Sequence, residues 1–297
     1  MSTPKFQDWM LATQRCTEAA LERLLPPASQ VPERLHEAMR YTTLGGGKRV
    51  RPLLAFAAGE VAGADAARVE IAASALECIH VYSLVHDDMP CMDDDDLRRG
   101  KPTVHIQYDE ATALLVGDAL QTLAFELLSH NVLSDDATRQ LRVLQVVSRA
   151  SGSRGMAGGQ AIDLASVGKA LTRPELEFMH IHKTGALIRA AVLTGALLGE
   201  VSDEELERLD HYAKCIGLLF QVVDDILDTV ADTATLGKTA GKDAANDKPT
   251  YVSILGLEES RELARELATE AHAALAGFGD RALRLRELTD YIVSRPF

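Results

Sequence analysis

Basic residues are in deficit in this chain: 31 lysines and arginines face 44 aspartates and glutamates, a formal charge of −13. That balance argues against a nucleic-acid binder held by a broad basic surface. It leaves an anionic small molecule open, because charge inside a cleft is set locally. Cysteine is equally sparse, with only Cys16, Cys78, Cys91 and Cys215. None forms a Cys-x-x-Cys pair, and their spacing suits neither zinc nor a disulfide framework. They read as reduced thiols, so a cytoplasmic location is expected. Long apolar runs are missing as well. The longest lies around Ala190–Leu198, far short of the roughly 20 residues a membrane span needs. Met1 to Met10 lacks a basic region followed by an apolar run, so no signal peptide is expected. Aromatics make up 5% of the chain, and its Val, Ile and Tyr residues are not clustered as strands would require.

What the chain has is Ala, Leu and helical periodicity. Apolar residues are 46% of 297, enough for a sizeable core. From Glu204 they fall at Leu206, Leu209, Tyr212, Ala213, Ile216, Leu219, Phe220, Val223, Leu227 and Val230. Steps of three and four mark one face of a long helix. Ser202 fits its N-cap, with Glu205 completing a capping box. A second helix is expected from Thr172-Arg173-Pro174 towards Leu198, since Pro fits a first turn. Similar patterns cover Phe6–Leu25, Pro52–Val61, Ala66–Asp88, Glu110–Leu128 and Glu258–Ala276. The breaks between them are short, apart from Thr233–Thr250. The expectation is one all-α domain across residues 1–297, with functional loops between its helices.

Three constellations carry chemistry. The first runs from His86 to Gly100 and places six aspartates (87, 88, 93, 94, 95 and 96) within ten residues. Such a run can be a solvated acidic loop. This one ends an apolar helix and is followed at once by Arg98 and Arg99. Carboxylates suit hard cations, and magnesium commonly takes one or two of them plus substrate phosphate oxygens. No register supplies the ligands of an EF-hand. Asp87 and Asp93 are six apart, well round a regular helix from each other. Pro90 breaks that regularity, and a bulge there would restore a four-residue spacing on one face. The second constellation is Asp224-Asp225-Ile226-Leu227-Asp228. Its carboxylates converge at one end of a helix face, in apolar surroundings where they need partners.

Positive charge is the third. Gly45-Gly46-Gly47-Lys48-Arg49-Val50-Arg51-Pro52 is not a Walker A loop, because Thr42 and Arg49 occupy two of its fixed positions. Lys48 and Arg51 could still grip a phosphate at a helix start. Lys183 sits mid-helix beside Thr184, and Lys238, Lys242 and Lys248 punctuate the last long loop. Each alone also reads as a solvated surface charge. His80, seven residues before Asp87, shares its helix face and can be structural or functional.

Together these segments resemble the short-chain trans-isoprenyl diphosphate synthases, and most closely the bacterial farnesyl diphosphate synthases. The likeness rests on Asp87-Asp88-x4-Asp93 with Leu97-Arg98-Arg99-Gly100, on Asp224-Asp225-x2-Asp228, and on Gly45 to Pro52. It implies a helical bundle around a deep central cavity, a homodimer, and three magnesium ions per site. It further implies that Asp87, Asp93 and Asp224 ligate magnesium, with Asp88, Asp225 and Asp228 in support. Lys48, Arg51, His80 and Arg99 look like an isopentenyl diphosphate site. Arg98, Lys183, Thr184, Gln221, Lys238 and Lys248 look like an allylic diphosphate site. The expected reaction joins isopentenyl diphosphate to dimethylallyl and then geranyl diphosphate, giving farnesyl diphosphate. Tyr82, five residues before Asp87, resembles the aromatic that limits chain length, although ideal helix spacing puts Ser83 directly under Asp87. Geranyl or geranylgeranyl synthesis and a non-catalytic partner subunit are the alternatives within the family. A terpene cyclase or a metal-dependent phosphohydrolase stands outside it.

Overall fold

The computed structural model describes residues 5–230 and 249–295. Fourteen α-helices account for most of them. In chain order they are α1 (Phe6–Leu24), α2 (Glu33–Thr43), α3 (Val50–Ala62), α4 (Ala66–Asp87), α5 (Val104–Gln107), α6 (Glu110–His130) and α7 (Ala137–Ser151). There follow α8 (Met156–Ser166), α9 (Arg173–His180), α10 (Ala186–Leu197), α11 (Asp203–Val230), α12 (Tyr251–Leu255), α13 (Leu257–Ala274) and α14 (Leu283–Ser294). Among the described residues the only strands are a two-residue antiparallel pair, Leu97–Arg98 with Lys101–Pro102. The chain is all-α, as composition predicts.

The caps fall where the sequence puts them. Ser202 Oγ accepts from the Glu205 amide at 3.1 Å, while the Glu205 carboxylate accepts from the Ser202 amide at 3.0 Å. Thr172 and Glu175 form the same reciprocal box at α9, with Pro174 in its first turn. The helix expected from Thr172 to Leu198 is not uniform, however. It is α9, then a π-helical turn at Ile181–Gly185, then α10. Helices α2, α5, α7, α8, α12 and α14 lie outside the segments where periodicity predicts a helix.

One continuous core runs through the bundle, from Leu21 and Leu54 through Leu76 and Ile79 to Leu120, Ile216 and Leu285. Helix α3 packs on α10, α4 on α6, and α11 on α13. Large-to-small changes in such a core cost about 2–5 kcal/mol each. By length and composition alone α6 could cross a membrane, although the run of apolar residues around Ala190–Leu198 lies elsewhere. Here it is a bundle helix against α4, with Asp118 and Glu126 on its exposed side.

Candidate active site

Helix α4 ends at Asp87, and the reason is Pro90. Proline has no amide hydrogen, so it cannot donate to the carbonyl of residue 86. That carbonyl accepts from the Met89 amide instead, at 3.2 Å. The chain then turns back on itself. The Asp93 amide donates to the Asp87 carbonyl at 2.8 Å, and the Asp95 amide to the Asp88 carbonyl at 3.1 Å. The expected bulge within a continuous helix is therefore wrong: Asp87 and Asp93 meet across a loop closed by a main-chain hydrogen bond.

Burial pushes the Asp87 carboxyl up to about 6, with Lys183 opposing and Asp93 adding to the rise. A desolvated carboxylate beside another carries an electrostatic cost that a divalent cation would relieve. The donors are all hard oxygens, so the set fits magnesium. Asp88 is differently placed. It is buried and ion-paired with Arg98, whose Nε lies 3.1 Å from its Oδ1. Arg98 also reaches Asp95 at 3.5 Å.

The glycine run before α3 is organised by an arginine that the motif reading passed over. Arg49 is buried and donates to Glu77, to Glu18 and to the Thr43 carbonyl, each at 2.6 Å. That pins the loop, leaving Lys48 exposed and Arg51 lining the cleft. Gly47 has φ +119°, and a Cβ there would lie 2.8 Å from the Arg99 guanidinium carbon. Arg99 itself donates to the Gly46 carbonyl at 2.7 Å. Among the described residues, the non-glycine positions with left-handed backbone are Arg49, Asp94 and Arg99. All three belong to this region, and such conformations cluster at working sites.

The opposite wall is built on the π-helical turn and α11. A Cβ on Gly159 of α8 would meet the Lys183 amide nitrogen at 2.0 Å, so α8 and the turn touch backbone to backbone. Lys183 there pairs with the buried Asp163 of α8. Its neighbour Thr184 donates to Gln221 Oε1 at 3.2 Å, and Gln221 Nε2 donates to Asp225 Oδ1 at 2.8 Å. Asp225 is buried and also accepts from the Tyr251 amide at 2.8 Å. It anchors the return of the chain after residue 249. Asp224 is half-exposed and paired with Arg295, a residue that sequence reasoning missed because it carries no motif. Arg295 lies over the Phe220 ring, 4.1 Å from its centroid.

Between these walls lie two adjoining cavities. One, of about 490 Å³, is lined by Lys48, Arg51, His80, Arg98, Arg99, Gln221 and Asp224. The other, of about 320 Å³, is lined by Tyr82, Ser83, Asp87, Met156, Ala157, Ala161, Leu164 and Lys183. Arg51, His80, Leu84 and Thr184 line both. The first is a cationic chamber. Burial, with Arg51 and Arg99 alongside, holds His80 well below the usual imidazole range, so it is neutral at pH 7. The second sets Asp87 and Lys183 beside an apolar lining of Leu84, Met156, Ala157, Ala161 and Leu164. Of the expected basic residues, Lys48, Arg51, Arg98, Arg99 and Lys183 line one cavity or the other. Lys238 and Lys248 lie outside the described residues. Asp228 lies one helical turn beyond Asp224 on α11.

Comparison with known proteins places the whole chain in a family. Residues 32–276 match the polyprenyl synthetase family model. The chain belongs to the polyprenyl synthetase family. It is 47% identical to farnesyl diphosphate synthase of Escherichia coli K12, over 98% of this chain and 99% of that protein. It is 48% identical to the chloroplastic geranylgeranyl pyrophosphate synthase 11 of Arabidopsis thaliana, over 98% and 82%. Among solved structures it resembles an FPP/GFPP synthase from Zymomonas mobilis, at 42% identity and TM-score 0.88, covering 97% and 99% of the two chains. A geranyltransferase from Helicobacter pylori, complexed with magnesium and isoprenyl diphosphate, gives 34% identity and TM-score 0.85, covering 99% and 98%. This polyprenyl synthetase is thus a prenyltransferase whose relatives make products of more than one length.

Proposed function

We propose that the protein condenses isopentenyl diphosphate with dimethylallyl and then geranyl diphosphate, releasing (E,E)-farnesyl diphosphate. The observation that carries this reading is the pairing of a cationic chamber with an adjoining cavity that joins Asp87 of the first aspartate motif to an apolar lining. One diphosphate with no metal-binding carboxylates of its own suits Lys48, Arg51 and Arg99. The other suits the Asp87–Asp93 pair, Asp224, Arg98, Lys183, Thr184 and Gln221, with its hydrocarbon tail towards Tyr82. Asp88, Asp225 and Asp228 support that set, and Lys238 and Lys248 complete it.

These aspartates would hold three magnesium ions, which would neutralise the allylic diphosphate and make it a better leaving group. The protein supplies the rest. Lys183 and Arg98 add fixed positive charge where the departing oxygen becomes negative. Arg51, Lys48 and Arg99 hold the second substrate with its double bond facing the allylic carbon. The C–O bond breaks, the double bond of isopentenyl diphosphate attacks the allylic cation, and a proton leaves to the released diphosphate. His80, neutral, contributes a polar wall without taking part in proton transfer. No strong protein base is required.

The farnesyl product rests on Tyr82, and relatives of equal identity named for geranylgeranyl diphosphate keep that product as the second reading. A homodimer is part of this reading, by likeness to the family. All four cysteines are free, which suits a cytoplasmic setting. The deciding assay incubates the enzyme with isopentenyl diphosphate, magnesium and each allylic starter, then sizes the products. Absence of any condensation product would overturn the reading, and a dominant C20 product would overturn only the farnesyl assignment.

A further inference from the structure

Away from the cleft, α11 and α13 bring three unlike ligands to one point. His211 and Cys215 are four residues apart on α11, so they share a face. Glu270 of α13 completes the group. Their ligand atoms all lie within 4.8 Å of one another. Cys215 Sγ is 4.0 Å from His211 Nε2 and 3.8 Å from Glu270 Oε2. A tetrahedral zinc with bonds of about 2.3 Å to sulfur and about 2.0 Å to nitrogen and oxygen sets those separations at about 3.5 Å. The three side chains need only small rotations to meet that geometry.

We propose that His211, Cys215 and Glu270 form a zinc site that staples α11 to α13, with water as the fourth ligand. Ligand chemistry selects the metal. A thiolate with an imidazole favours zinc over magnesium, which wants oxygen ligands. Charge agrees: Zn2+ with a thiolate, a carboxylate and a neutral imidazole sums to zero. That neutral complex is tolerated beside Arg149, Arg154, Arg189 and Lys214, which line the same cavity. Arg189 and Lys214 are in any case both paired with Asp210. The cavity, of about 520 Å³, has all three ligands in its wall, so an ion and its water can enter. On binding, the Cys215 thiol proton passes to solvent and a sulfur–zinc bond forms. Cys215 precedes Asp224 by nine residues, about 13 Å along the helix axis. The site is therefore separate from the diphosphate cleft, though on the same helix.

Cobalt is the probe, because thiolate–cobalt(II) coordination gives a near-ultraviolet charge-transfer band and tetrahedral cobalt gives visible bands. Metal-stripped full-length protein is titrated with Co2+ in a large excess of Mg2+, which occupies the aspartate motifs. One equivalent should produce both bands, and Zn2+ should bleach them. Cys215→Ser should abolish the charge-transfer band. Glu270→Gln and His211→Gln, both at exposed positions, should keep the native circular dichroism. Each should weaken cobalt binding by at least about 100-fold, since losing a ligand costs more than losing its outer-shell support. Zn2+ should also raise the unfolding temperature of the wild type and of none of the three variants. No charge-transfer band in the wild type, an equal band in Cys215→Ser, or unchanged affinity in both glutamine variants would each overturn the proposal.

Discussion

Asp87 is a carboxylate the fold holds at a loss. Its ordinary value is 3.8, and burial raises it to about 6. A raised carboxyl favours the protonated form, so its stabilising contribution is full below pH 3.8 and is lost as pH climbs through 6. Above pH 6 the ionised group weakens the metal-free fold by roughly 2 kcal/mol after solvent screening. Asp87→Asn should therefore stabilise the metal-free protein by about that amount at pH 7.5, measured by urea unfolding. The gain should vanish near pH 4, and condensation activity should be lost. Equal stabilities at both pH values would show that Asp87 is not strained. Tyr82, buried beside it, meets His86 edge-on at 5.9 Å between ring centroids. Tyr82→Ala enlarges the cavity that Tyr82 lines, and the main product should lengthen by one or more C5 units. Ser83 lines the same cavity, so an unchanged product after Tyr82→Ala would move the limit to Ser83 or to α8.

At the scale of elements, legibility depended on whether a residue's job is local. The caps at Ser202 and Thr172 are local hydrogen-bonding problems, and both were readable from adjacent letters. Pro90 was half readable. Its missing amide hydrogen foretold a break, but whether the chain bulges or turns back depends on bonds such as Asp93 to Asp87 that sequence spacing does not contain. The π-helical turn at Ile181–Gly185 was not readable from adjacent letters, and it packs against another helix. Close contact with Gly159 of α8 sets the position of Lys183, and π turns recur at functional sites. Gly159→Ala puts a methyl group 2.0 Å from the Lys183 amide. The helices must separate, at a cost of about 1–3 kcal/mol in unfolding free energy. Lys183 would retreat from the cleft, so kcat should fall by at least about tenfold. A variant with normal kcat would show that Lys183 does not depend on that contact.

For the molecule as a whole, Arg295 ties the end of α14 to the second aspartate motif. The aspartate motifs and the glycine loop declare themselves because each concentrates its chemistry in a few adjacent residues. Arg295 and Glu77 do not, since each matters only through what the fold sets beside it. Arg49 lies inside a motif yet anchors it from within, donating to Glu77 across the interior. Arg295, just past α14, buries its guanidinium over Phe220 and pairs it with Asp224, so the chain's last described helix reports on its second aspartate motif. A cation already on Asp224 competes with any metal that uses the same carboxylate. Arg295→Gln removes that competitor while keeping a hydrogen-bonding side chain. The magnesium concentration for half-maximal activity should fall about fivefold, equivalent to roughly 1 kcal/mol. The unfolding free energy should also drop by about 1–2 kcal/mol, because Asp224 retains solvent access and only the tether is lost. Magnesium titrations of activity and urea unfolding, run on the same preparation, separate the two effects. Loss of stability with an unchanged magnesium requirement would make Arg295 a packing residue and leave Asp224 free of competition.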